Sequence, residues 1–104
     1  MAQNTLLRNT ATVATGSEVF VSTATTQVNI EFVPLTGTGF TGTVVIESST
    51  APSPGASDWF AVATLVFSAH TSILDINLYL SDNPWLRART TVTTLGSISV
   101  YLAF

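Results

Sequence analysis

The sequence predicts an all-β fold, a single-domain antiparallel β-sandwich or jelly roll of about seven to eight strands. Three observations carry that expectation. Apolar and polar residues alternate at period two in segment after segment, the spacing that sorts side chains onto two faces of a strand. Proline-, glycine- and asparagine-containing breakers interrupt these runs at roughly 8–12 residues, as in sandwiches and barrels. No segment carries a helical apolar stripe with caps.

The elements follow in chain order. Residues 1–15 are Thr- and Asn-rich, with Leu6, Leu7 and Val13 as apolar anchors. They read as an N-terminal arm or edge strand outside the central core, so removing residues 1–10 is expected to leave a folded domain. The sandwich domain then spans residues 16–104. Val19-Phe20-Val21 is a short strand. Val28, Ile30 and Phe32 alternate with Asn29 and Glu31 in the next. Pro34 to Gly42 is a loop, and Thr43–Ser48 a strand with Val44 and Ile46 on one side. A Pro/Gly loop at 51–55 precedes Trp59–Phe67. This stretch is nearly all apolar, so both its faces are expected to be covered, with Trp59 in the core. His70 falls in a turn. Leu74, Ile76, Leu78 and Leu80 then form one inward face against Asp75, Asn77 and Tyr79. After a turn at Ser81–Pro84, the strand Leu86–Thr94 sets Leu86, Ala88 and Val92 against Trp85, Arg87, Arg89, Thr91 and Thr93. Leu95-Gly96-Ser97 turns the chain into Ile98, Val100, Leu102 and Phe104.

Composition narrows the function. Only 9% of the 104 residues are charged, against roughly 25% in an average domain. There is no lysine, and Arg8, Arg87 and Arg89 face six acids for a net charge of −3. Such a chain has no basic patch to neutralise phosphates, which argues against nucleic acid. No run of about 18 apolar residues suggests a membrane span. The start Met1-Ala2-Gln3-Asn4-Thr5 lacks the order of a signal peptide, so synthesis and retention in a cytoplasm are expected. With no cysteine, neither a disulfide nor a thiolate metal site supports the fold.

No set of residues names a reaction. Gly37-Thr38-Gly39-Phe40-Thr41-Gly42 fits G-x-G-x-x-G, but dinucleotide binding needs a helix after the glycines. Here a strand follows, so the segment reads as a hairpin loop. His70, the only histidine, has Ser68, Ser72 and Asp75 nearby in sequence. Neighbours on one hairpin rarely converge as a hydrolase requires, and no nucleophile-elbow pattern is present. Glu18, Glu31, Glu47, Asp58, Asp75 and Asp82 are scattered singly, without calcium-loop spacing, and one histidine argues against zinc. No cofactor, metal or enzymatic activity is expected. Asp58 and Asp82 sit where an Asp bonds nearby backbone amides. Trp85, Arg87 and Arg89 share one strand face and are of the types enriched at binding hot spots. They read equally well as an internal cation–π stack or as ion pairs with Glu31, Glu47 or Asp75. With Leu6, Leu7 and Arg8 of the arm they form the candidate protein interface.

Gly42-Thr43-Val44-Val45-Ile46-Glu47-Ser48-Ser49, a Pro/Gly loop, Asp58-Trp59 with an apolar strand, Leu86-Arg87-Ala88, and the closing Gly96-Ser97-Ile98-Ser99-Val100-Tyr101-Leu102 follow in order. Over residues 40–104 this succession resembles small β-sandwich virion proteins of tailed bacteriophages, such as capsid decoration (cement) proteins and related head or tail accessory domains. The loop Ala51–Ser57 departs from the Asp-Gly-Gly turn expected before the Trp. The resemblance implies a virion location after assembly in the host cytoplasm. It also implies a major capsid protein or other virion protein as partner, and a homo-oligomer, a trimer on this ground alone.

Composition independently favours a structural subunit. Isolated sheets guard their edges with lysines, prolines or inward charges, and this chain is poor in all but a few. The alternative is a carbohydrate-binding or adhesive module, with Trp59, Trp85, Tyr79 and Tyr101 as stacking platforms.

Overall fold

Alternation and breakers together yield two four-stranded antiparallel sheets in a computed structural model, which describes residues 3–21, 27–35, 37–80 and 84–104. The strands are β1 (Gln3–Thr10), β2 (Val19–Phe20), β3 (Gln27–Pro34), β4 (Phe40–Ser49), β5 (Phe60–His70), β6 (Leu74–Tyr79), β7 (Trp85–Leu95) and β8 (Ile98–Ala103). One sheet has the order β1-β8-β3-β6, the other β2-β7-β4-β5. The expected all-β sandwich is therefore the fold. Most of the turn at Ser81–Pro84, with Asp82, lies outside the described residues, as do Met1 and Ala2 of the arm.

The core forms where the inward positions of both sheets meet. Val28, Ile30 and Phe32 of β3 and Ile98, Val100 and Leu102 of β8 face Val44 and Ile46 of β4 and Leu86 and Ala88 of β7, all buried. Phe67 bridges Phe32 and Phe40, with ring centroids 5.7 Å apart in each pair, a favourable spacing for tilted rings. Each such side chain contributes about 1.5–3 kcal/mol by leaving water. Gly96, with φ of 74°, turns the chain from β7 in one sheet to β8 in the other in a conformation that a β-carbon disfavours.

Three expectations need correction, and one that holds gains a detail. The N-terminal segment is not peripheral to the core. β1 is an edge strand, as one reading had it, but Leu6 and Leu7 are 1% and 4% exposed and belong to the core cluster. Two leucines in a polar stretch suffice because β1 pairs along β8 and needs only one covered face. Second, Trp59–Phe67 is not covered on both faces. With only two sheets, the outer face of β5 has no layer to cover it, so Ala61, Thr64 and Val66 face solvent, and Trp59 is half-buried rather than in the core. Third, Leu74, Ile76 and Leu78 point inward as expected, yet are only half-buried, because β6 is the edge of its sheet. Fourth, Val92 leaves the face of Leu86 and Ala88. Thr43 and Val44 pair with Val92 and Thr90, so Thr91 is an extra residue. A one-residue bulge sends the following side chain to the opposite face, and Val92 is exposed.

The chain crosses from the first sheet to the second through residues 11–18. The Gly16 N–H donates to the Ala88 carbonyl at 2.9 Å, and the next N–H, of Ser17, donates to the Leu6 carbonyl at 3.0 Å. Consecutive residues thus join β7 to β1. A β-carbon on Gly16 would lie 1.7 Å from the Leu6 carbonyl oxygen, so only glycine fits this approach. The buried Thr90 hydroxyl accepts from the Ala14 N–H at 2.8 Å and donates to the Thr12 carbonyl at 2.9 Å.

Candidate functional site

The face of Trp85, Arg87 and Arg89 is occupied by the chain itself. Antiparallel register sets Glu47 of β4 directly opposite Arg87 and Val45 opposite Arg89. Glu47 accepts from Arg87 Nε at 2.8 Å and from Arg89 Nη2 at 3.1 Å. Arg87 also approaches Glu18 at 3.9 Å. Its guanidinium sits 4.3 Å from the centroid of the Trp59 ring, within cation–π range. Trp85 instead packs on Phe20, with centroids 5.3 Å apart. Burial alone would raise the Glu47 carboxyl, but hydrogen bonds from Arg89 and Arg87 and their charges outweigh it and hold it below its ordinary value of 4.5. A carboxylate fixed in that state serves poorly as a general base. The expected ion pairing is thus found with Glu47, and the cation–π partner is Trp59. The sequence gives no sign of that partner, because Trp59 reaches Arg87 from β5's leading end, across β4.

Of the other proposed interface residues, Leu6 and Leu7 are packed inside the chain, and Arg8 is exposed. His70 stacks on Phe67 at 5.1 Å, and its Nε2 is buried without a hydrogen-bond partner. Asp75 lies in the other sheet, exposed and opposite Glu31, so the structure does not gather His70 and Asp75 into a triad. The G-x-G-x-x-G glycines lead into β4, a strand. Asp58 accepts from the Gly55 N–H at 2.7 Å, as expected for a turn aspartate. Among the described residues, no three His, Cys, Asp or Glu side chains cluster in a way that could hold a metal ion.

What remains is one flank of the sandwich. There β5 and β6 form the free edges of the two sheets. Their inward apolar side chains, Val62, Leu65, Leu74, Ile76, Leu78 and Leu80, are only partly buried. Phe60, Val66, Ile73 and Tyr79 stand exposed at 51%, 79%, 59% and 78%. A groove of about 130 Å³ between Phe60, Val62, Tyr79, Leu80 and Pro84 opens on the same side. Phe60 and Tyr79 meet at that groove, and exposed apolar side chains that meet in this way mark interaction surfaces more often than scattered ones. Comparison with protein families, curated proteins and solved structures finds no match for this chain.

Proposed function

We propose that this chain is a non-enzymatic structural subunit that works by packing against other proteins through its β5/β6 flank. The observation that carries this reading is an apolar flank between two free sheet edges, on a chain almost devoid of charge. A folded domain gains nothing by leaving such edges bare, and an assembly that covers them removes both the apolar surface and the unpaired backbone groups. The resemblance of residues 40–104 to phage β-sandwich proteins extends the proposal to a virion subunit, most simply a capsid decoration protein held on the major capsid protein. The carbohydrate-binding alternative loses two of its platforms, since Trp59 lies under Arg87 and Trp85 against Phe20. Tyr79 remains exposed for it.

Quantitative mass spectrometry of purified particles from the source tests the proposal. The expected result is this chain in a fixed, high copy ratio to the shell protein. Absence from particles, together with a sugar-dependent change in tryptophan or tyrosine fluorescence, would replace it with the carbohydrate-binding reading.

A further inference from the structure

We propose that two copies of this chain join through their β5 strands, antiparallel about a two-fold axis at Leu65, so that two four-stranded sheets become one of eight strands. This rests on the structural-subunit reading and names the partner at that flank as a second copy.

The four free edges of the sandwich differ in how they resist such pairing. β1 carries the exposed Arg8 and two register irregularities. β2 is two residues long. β6 has exposed Asp75 with Glu31 directly across from it, so its free edge carries a charge that any added strand must meet. Charges, irregularity and shortness are the ordinary protections of an edge. β5 is the longest of the four edges, with 11 residues, and has no acid, arginine or proline.

Its geometry also fixes where pairing can occur. Ile46 and Glu47 pair with Ala63 and Ala61, and Phe40 and Gly42 with His70 and Phe67. Extra residues therefore bulge β5 at Val62 and around Ser68-Ala69, where Ala69 has φ of 47°. Between the bulges, Ala63-Thr64-Leu65-Val66-Phe67 runs in unbroken register along β4. These five residues are rich in strand formers, and their middle residue is Leu65. A two-fold axis there sets Thr64 of each copy opposite Val66 of the other, both exposed on the outer face and both β-branched. It also sets the two half-buried Leu65 side chains together over the open flank. No like charges meet. The antiparallel direction brings the start of one strand, after Asp58, towards the end of the other, at His70. A contact of this kind is isologous and closes at two copies. Five residue pairs make a small interface, so the dimer forms in a concentration-dependent way.

Sedimentation velocity over a concentration series, on the wild type, Thr64→Lys and Val66→Lys, tests the pairing. The wild type is expected to pass from monomer to dimer. Each variant should need a concentration at least about tenfold higher, with an unchanged melting temperature in dilute solution, where the wild type is monomeric, because both positions face solvent. Cysteine cross-linking reads the register directly, since the chain has no cysteine of its own. Directly opposed residues lie within disulfide reach. An oxidised mixture of Thr64→Cys and Val66→Cys chains should therefore give a mixed disulfide dimer in preference to either homodimer. A wild type that stays monomeric, a trimer or dimer indifferent to both lysines, or cross-linking without preference for the mixed pair would overturn the proposal. Particle binding is scored separately. A monomeric Val66→Lys chain that still binds particles leaves the subunit reading standing. A wild type that dimerises through β5 but never enters particles leaves the pairing standing and removes that reading.

Discussion

The two flanks of the sandwich solve the same problem in opposite ways. On the β1/β2 side the chain crosses between sheets, and Gly16 and Ser17 bond β7 and β1 in successive residues. Leu6 and Leu7 are sealed beneath. On the β5/β6 side residues 71–73 also carry the chain from one sheet to the other, but only where β5 ends and β6 begins, and the inward row Leu74, Ile76, Leu78 is left half-covered. The same residue type is thus worth different amounts on the two sides. Burial, and so stabilisation, depends on what closes the flank and not on hydropathy alone.

The largest effect should come from breaking the sealed flank. Deleting residues 1–10 removes β1 with its two core leucines and leaves Ser17 without its carbonyl partner. The cooperative thermal transition should be lost. A shortened chain that melts as sharply as the parent would show that the crossing segment is an accessory, as the polar composition of residues 1–15 suggests.

Next in size is a matched pair across the flanks. Leu6→Ala should cost about 2–5 kcal/mol, as for a fully buried leucine. Ile76→Ala should cost only about 1–2 kcal/mol, because part of that side chain already meets water. Chemical denaturation of both variants checks the order. Equal losses would mean that the β6 face is covered in solution, and a concentration-dependent Ile76→Ala value would identify self-association as the cover.

The smallest effect lies between the flanks, at Glu47. Its carboxyl is depressed in the folded chain, so its contribution is fully present above the unfolded carboxylate range and is lost as the pH falls through the lower folded value. Glu47→Gln should lose about 0.5–1 kcal/mol at neutral pH, because the Arg89 partner is partly exposed to screening solvent, and show a shallower loss of stability below about pH 4.5 than the parent. Parallel pH profiles for the two proteins would deny the carboxylate this role.

The sequence carries most of the fold, because alternation reports directly which face of a strand is wet. Ile30, Ile46, Leu86 and Val100 all lie where period two puts them. What alternation cannot report is a strand's place in its sheet. Trp59–Phe67 and Leu74–Leu80 both read as core strands, and both are edges, since edge position depends on partners distant in sequence. The bulge at Thr91 is silent for a related reason, as one extra threonine in a run of threonines leaves the pattern intact. On the candidate surface, the Arg87 and Arg89 face is legible from spacing, but Glu47 as their shared partner follows from register. The sealing role of Thr90 and Gly16 depends on a crossing segment that has almost no apolar signal.

The pairing of β1 with β8, in which Gln3 lies opposite Ala103, has a temporal consequence. During synthesis β1 is made before the other seven strands and β8 after them, so β1 waits for its partner while all the others are made. Native contacts between such distant residues form late and make folding slow relative to local hairpins. The β4–β5 hairpin can form early, but the sheet that holds β1 cannot close until β8 is made. A newly made chain therefore spends that interval with Leu6 and Leu7 uncovered, and its yield should depend on how quickly the last strand arrives.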